Sequence, residues 1–145
     1  MPSTAADAKG LMKAAIRDDD CVLFFEHKYL YRRIKEEMPV GDVVVPIGKA
    51  RTAREGTDVS IITYSATLWK ALEAAEIMQA DDGVSVEVID LRTLLPLDDA
   101  AIAETVRKTN RVLIVHEDTR TCGILSEITA WINEMCFEWL DAPVL

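Results

Sequence analysis

The amino-acid sequence predicts an α/β fold built on a mostly parallel sheet. From about residue 50, stretches with strand and helix character alternate three times, strand then helix. Such alternation implies parallel strands joined by crossovers, which are right-handed in nearly all cases. The strand stretches include short continuous apolar runs such as Val112 to Val115, which fit strands covered on both faces. The helix stretches repeat apolar residues three and four apart, giving each one side to lay on a sheet.

Residues 4–17 form the first predicted helix, with Ala5, Ala8, Leu11, Met12, Ala15 and Ile16 at helical spacing and Ser3 or Thr4 as cap. Asp18, Asp19 and Asp20 end it. "CVLFFE", residues 21–26, reads as a buried strand. Residues 27–49 carry Pro39, Gly41, Pro46 and Gly48 without a clear period, so they read as a linker and the best domain boundary. "ARTAREG" is a candidate short edge strand. Residues 58–65 form a strand and 66–81 an amphipathic helix, with Gly83 just past its end. Residues 84–92 alternate and then turn apolar, as a strand does. Pro96 opens a break before a helix over 97–110, with Asp98 or Asp99 at its positive end. "RVLIVHE" is the next strand, 123–140 the last helix, and "APVL" a further extended stretch. One helix and one strand at the start cannot close a sheet, and the end is apolar. The chain is therefore expected to be a piece of a longer polypeptide.

The totals exclude several classes. Sixteen basic against 25 acidic residues give a net charge of −9, which argues against nucleic acid as partner. The basic cluster Arg32, Arg33 and Lys35 runs into Glu36 and Glu37 and reads as a solvated face. No apolar run approaches the roughly 18 residues needed to span a bilayer, and the start lacks the pattern of a signal peptide. Cys21, Cys122 and Cys136 are few and widely spaced. They are expected to be buried or half-buried free thiols, not zinc ligands.

Motifs that carry chemistry are sparse. The six glycines are isolated, so no phosphate-binding loop is present. Ser65 lacks the glycine-flanked turn of a nucleophile and reads, with Thr67, as a helix cap. His116, Glu117 and Asp118 end a strand, where ligands of open α/β sheets bind. On a continued strand Glu117 faces away from His116, whereas Asp118 can reach it; Cys122 or Ser126 would be the nucleophile. Contact with a neighbouring domain or partner is the preferred reading of this cluster, as it is for His27. Asp18 to Asp20, with the free carbonyls of the helix end, offer oxygen to a cation.

Several stretches together carry a resemblance. "MPSTAADAKGLMKAAIRDDDCVLFFEHKYLYR", "VPIGKARTAREGTDVSIITYS", "VEVIDLRTLLPLD", "TNRVLIVHED" and "CFEWLDAPVL" resemble, in this order and over essentially the whole chain, the beta subunit of the thiamine-diphosphate-dependent 2-oxo acid dehydrogenase decarboxylase component. That family serves branched-chain 2-oxo acid, pyruvate and acetoin dehydrogenase complexes. The resemblance implies a three-layer transketolase C-terminal-type domain over residues 50–145, incomplete at its end. Before it, 1–27 would be the last helix and strand of a pyrimidine-binding domain and 28–49 a linker.

The resemblance also implies what this chain does not carry. The family's catalytic glutamate and histidine lie upstream of any matching residue, and its alpha subunit holds thiamine diphosphate and magnesium. No catalytic or cofactor-binding residue is therefore assigned, and the chain alone is expected to be inactive. A potassium ion held by backbone carbonyls in the family maps onto Ala15, Asp18 and Asp20, although Asp20 and Cys21 stand where Asn-Pro is usual. The implied partners are an alpha subunit, a second beta subunit and the lipoyl acyltransferase core. The implied compartment is the bacterial cytoplasm or the mitochondrial matrix. The alternatives are the terminal domain of a transketolase or deoxyxylulose phosphate synthase, and a non-catalytic interaction module.

Overall fold

A computed structural model describes residues 1–145. The first helix, α1 (Ala5–Arg17), starts where Thr4 Oγ1 accepts a hydrogen bond from the Asp7 amide at 3.1 Å. It ends as Asp18 turns extended.

The strand expected over residues 21–26 is absent. These residues make no backbone–backbone hydrogen bond, because no strand of this chain lies beside them to receive their N–H and C=O groups. Their side chains still alternate: Val22 and Phe24 are half-buried, while Leu23 and Phe25 are 76% and 57% exposed.

Residues 27–49 are more ordered than a free linker. A 3-10 helix spans Lys28–Arg32, and the chain then runs back along α1. Lys9 donates to the Pro39 carbonyl at 2.6 Å. Lys13 and Arg17 hold the Asp42 carboxylate at 2.9 Å each and keep its pKa down to about 2. Gly10 permits the close approach, since a Cβ there would lie 2.5 Å from Val45 Cγ2.

The rest of the chain runs β1 (Arg51–Arg54), β2 (Val59–Thr63), α2 (Thr67–Asp81), β3 (Val86–Asp90), α3 (Asp99–Thr109), β4 (Val112–Val115) and α4 (Ile124–Met135). The sheet order is β1-β3-β2-β4. β2 pairs in parallel with β3 and β4, while β1 is an antiparallel edge with a register shift between Thr52 and Arg54. Leu145 extends the ladder, donating to Val112 O and accepting from the Ile114 amide at 2.7 Å.

Alternation along the strands divides the apolar residues between two cores and so makes three layers. On one face, Leu68, Ala71 and Ala75 of α2 pack on Ile61, Val86 and Val88. On the other, Ile102 and Val106 of α3 with Leu125, Ile128 and Ile132 of α4 pack on Ile62, Ile89 and Val112. Each fully buried Leu or Ile contributes about 1.5–3 kcal/mol through area removed from water.

The structure corrects the sequence reading in three further places: the last helix, the cap of α2 and the thiols. The last helix stops at Met135, and a 3-10 turn, Phe137–Trp139, follows. The chain is drawn back there because Arg107 stacks on the Trp139 ring at 4.0 Å and Asn110 donates to the Trp139 carbonyl at 2.7 Å. Ser65 does not cap α2. It sits at φ 56°, outside the helix, and its buried hydroxyl has no partner. Thr67 turns its hydroxyl to the Tyr64 carbonyl instead, at 2.8 Å. Of the three thiols only Cys136 is buried; Cys21 and Cys122 are exposed. Burial pushes the Cys136 pKa up.

Candidate functional site

In open α/β sheets ligands sit beyond the carboxyl ends of strands, where adjacent strands send their helices to opposite faces. β2 leads into α2 on one face, while its neighbours β3 and β4 lead into α3 and α4 on the other. The residues just past these three strands are Tyr64 and Ser65, Leu91 and Arg92, and His116, Glu117 and Asp118. Ser65 and Arg92 both adopt φ 56°, a left-handed conformation that costs a non-glycine residue energy and collects at special sites.

The three residues after β4 do not form a catalytic set. Glu117 turns away from His116, as alternation requires, and its Oε2 lies 2.8 Å from His27 Nε2. Asp118 accepts from the Thr119 amide at 2.7 Å rather than reaching His116. His116 Nδ1 is buried without a partner. Its ring packs on Gly123, where a Cβ would lie 2.7 Å from His116 Cε1 and 2.3 Å from the Thr119 carbonyl oxygen. Ser126 spends its hydroxyl on the Arg120 carbonyl, and Cys122 is exposed. His116 thus closes a loop, and Glu117 ties that loop to the segment after α1. Tyr64 stands beside His116, with ring centroids 6.5 Å apart. Burial, then the charges of Asp118 and Glu117, raises its pKa.

A second cluster lies past β3 and joins α1 to the sheet. Asp90, fully buried, accepts from Ser3 Oγ at 2.9 Å and from Arg51 Nη2 at 3.2 Å. Arg51 also approaches Asp7 at 3.4 Å, and Arg92 bonds Asp7 at 3.0 Å. Arg92 further donates to the carbonyls of Lys49 and Ala50 at 3.0 Å each. Burial raises the Asp90 pKa, opposed chiefly by the Ser3 hydrogen bond and the Arg51 charge. Sequence reasoning assigned none of these residues a role. The available signal was the charged pair Asp90 and Arg92 inside an apolar strand end, since buried charges are kept only where paired.

The candidate cation ligands share one wall. Ala15, Asp18 and Asp20 line a cavity of about 400 Å³ together with Phe24 and Leu94. The Asp18 carboxylate is turned back to accept from the Asp20 amide at 3.0 Å, and both aspartates are exposed. Nowhere in the chain do three or more His, Cys, Asp or Glu side chains converge as a metal site. The strand ends also do not fit a diphosphate. They have no glycine-rich turn to offer a row of amides, Arg51 and Arg92 are already engaged by Asp7 and Asp90, and the exposed charges are those of Glu117 and Asp118. No helix is long and apolar enough to cross a membrane.

A mostly parallel four-stranded sheet covered by helices on both faces places the chain in the class of three-layer α/β domains. Residues 48–145 match the transketolase C-terminal domain family, and the chain belongs to that family. It is 56% identical over 144 residues to the 2-oxoisovalerate dehydrogenase subunit beta of Bacillus subtilis, covering 99% of this chain and 44% of that protein. It is 46% identical to the mitochondrial subunit of that name in Dictyostelium discoideum, covering 99% and 39%. It is 47% identical to the pyruvate dehydrogenase E1 component subunit beta of Bacillus subtilis, covering 100% and 44%. The chain thus spans less than half the length of these relatives. Among solved structures, an inactive beta4 tetramer of a split-gene transketolase superposes with a TM-score of 0.65 at 28% identity, covering 78% of this chain and 36% of that one.

Proposed function

We propose that the chain is part of the beta subunit of a 2-oxo acid dehydrogenase complex, where it supports oxidative decarboxylation of a 2-oxo acid by organising the assembly. The observation that carries this reading is the reach of the similarity. The domain family match begins at residue 48, yet the beta subunits match residues 1–47 as well. α1, the apolar segment 21–26 and the strap along α1 are therefore shared with those subunits. In this reading residues 1–27 belong to a pyrimidine-binding domain, residues 28–49 link it to the second domain, and Leu23 and Phe25 face a neighbouring strand. The higher identity to the 2-oxoisovalerate enzyme, 56% against 47%, favours a branched-chain substrate.

Thiamine diphosphate, when bound by the whole enzyme, supplies the electron sink that lets carbon dioxide leave. The residues of this chain do not fit that group, so they serve by positioning. Glu117 with His27, and Asp90 with Arg51 and Ser3, lock the first segment onto the second domain. An alpha subunit and a second beta subunit complete the enzyme, and a lipoyl acyltransferase core accepts the acyl group. Magnesium goes with the diphosphate in the alpha subunit. Ala15, Asp18 and Asp20 supply at most one part of a potassium shell, because a single turn offers too few oxygens for a complete set. Bacterial and mitochondrial relatives favour a bacterial cytoplasm or mitochondrial matrix. The transketolase alternative has less support, with 28% identity over 78% of the chain.

The test mixes the purified chain with a 2-oxoisovalerate dehydrogenase alpha subunit and follows sedimentation velocity. The expected result is a faster boundary containing both chains. Independent sedimentation of the two at every concentration contradicts the reading.

A further inference from the structure

The 3-10 helix Lys28–Arg32 buries none of its own residues, so it gains little from area removed from water. Its polar fastening to residues 50–145 comes down to one pair. His27, the residue just before the helix, holds Nε2 2.8 Å from Glu117 Oε2 in the loop after β4. No other hydrogen bond or ion pair joins residues 26–35 to that domain. Tyr31 donates to Glu26, and the amides of Leu30, Arg33 and Ile34 bond within the segment. One end of the pair is an imidazole, the side chain that changes charge nearest neutrality.

We propose that His27 and Glu117 form a pH-operated clasp, which fastens the 3-10 segment to the loop after β4 when His27 is protonated and slackens when it is not. A neutral imidazole with its proton on Nε2 gives the carboxylate an ordinary hydrogen bond. The imidazolium gives a charge-assisted one, roughly twice as strong. A glutamate ordinarily titrates at about pH 4.3 and an imidazole at about pH 6.5. Between those values both partners are charged, and the cation is lost as pH rises past the second. The clasp is independent of the proposed enzyme assignment.

The surroundings favour the cation. On its own segment His27 stands between Glu26 and Lys28, and the Tyr29 ring meets it edge-on, centroids 6.1 Å apart. The loop after β4 brings Glu117 followed by Asp118. His27 and Glu26 share a cavity of about 290 Å³ with Pro2 to Ala5 and Ala8, which carry no side-chain charge. Nδ1 has no protein partner, so the gain on protonation is made at Nε2, and the polar side chains of Ser3 and Thr4 give the cavity room and partners for water. The side chains of the pair are 31% and 54% exposed. Water therefore screens it, and the clasp modulates a local opening without deciding whether the chain folds.

The experiment is pulsed hydrogen exchange of the full chain at pH 5.5 and 7.5, read by mass spectrometry and corrected for the intrinsic pH dependence of exchange. Residues 28–34 of wild type are expected to be about 2–5-fold better protected at pH 5.5, the span of an exposed charge pair. His27→Gln keeps a donor that never ionises, and Glu117→Gln keeps an acceptor without charge. Each is expected to make protection of residues 28–34 equal at the two pH values. Protection of α2 is expected to stay unchanged throughout, which also verifies folding of the variants. The chain's other imidazole, His116, remains in both variants, so a response that originates there survives in them. A wild-type response that is absent, that is shared by α2, or that persists in either variant overturns the proposal.

Discussion

Gly123 shows how one residue can be fixed by its surroundings and not by its conformation. Its φ is −74°, which any residue adopts, yet a Cβ would strike the Thr119 carbonyl and the His116 ring. Gly123→Ala is expected to cost about 1–3 kcal/mol, the scale of overpacking, read as a shift of the urea midpoint at unchanged slope. The sequence marks this glycine only as a helix start; the collision depends on how the loop folds over His116. Asp90 gives a pH prediction. Its folded pKa lies above its unfolded one, so its contribution is fully present at acid pH below the unfolded value. That contribution is lost as pH rises through the folded value. The stability of wild type relative to Asp90→Asn is therefore expected to fall from acid toward neutral pH, measured by denaturant titration at several pH values. Asp42 runs the other way. Its pKa is lowered from 3.8 to about 2, so its hold on α1 persists above the ordinary carboxylate range and is lost as pH falls through about 2. Side-chain NMR shifts of Arg17 are expected to report that loss, and Asp42→Asn to remove it. Both carboxylates were visible as letters, but the opposite signs of their shifts come from burial in one case and the two cations Lys13 and Arg17 in the other.

Among the elements, those with their own internal pattern were legible. The helical spacing of Leu68, Leu72 and Ala75 identifies α2, although Ala71 is buried where Leu72 is only half-buried, and the run Val112 to Val115 identifies β4, within a residue or two of their observed ends. Elements whose form depends on a distant partner were not. Residues 21–26 have the composition of a buried strand, but composition does not supply a neighbouring strand, and none pairs with them here. The last helix continues its apolar spacing past Met135 on paper, yet Arg107 and Asn110 of the α3 end hold Trp139 and stop it. Arg107→Ala is expected to lose about 0.5–2 kcal/mol and, by NMR, to loosen residues 137–139 before the sheet. Ile132 lies fully buried at the centre of the α4 contact. Ile132→Ala is expected to cost about 2–5 kcal/mol, the transfer term plus the cavity, as measured by thermal or urea unfolding.

At the level of the whole molecule, two apolar cores fold the domain while much apolar surface stays outside them. Leu23, Phe25 and Phe137 are 76%, 57% and 72% exposed, and unpaired strand-like segments invite pairing with other chains. The isolated chain is accordingly expected to self-associate with rising concentration in light scattering, and Leu23→Ser/Phe25→Ser to reduce this. The layer architecture and family were legible from ordered motifs along the full length. The contacts past the strands were not legible, because those polar groups act between residues as far apart as Ser3 and Asp90. The central claim is that this chain supports an active site and does not enclose one. Isothermal titration of thiamine diphosphate with magnesium into the purified chain tests it most directly. The account predicts no saturable heat at concentrations where a complete 2-oxo acid dehydrogenase saturates; stoichiometric binding by this chain alone would contradict it.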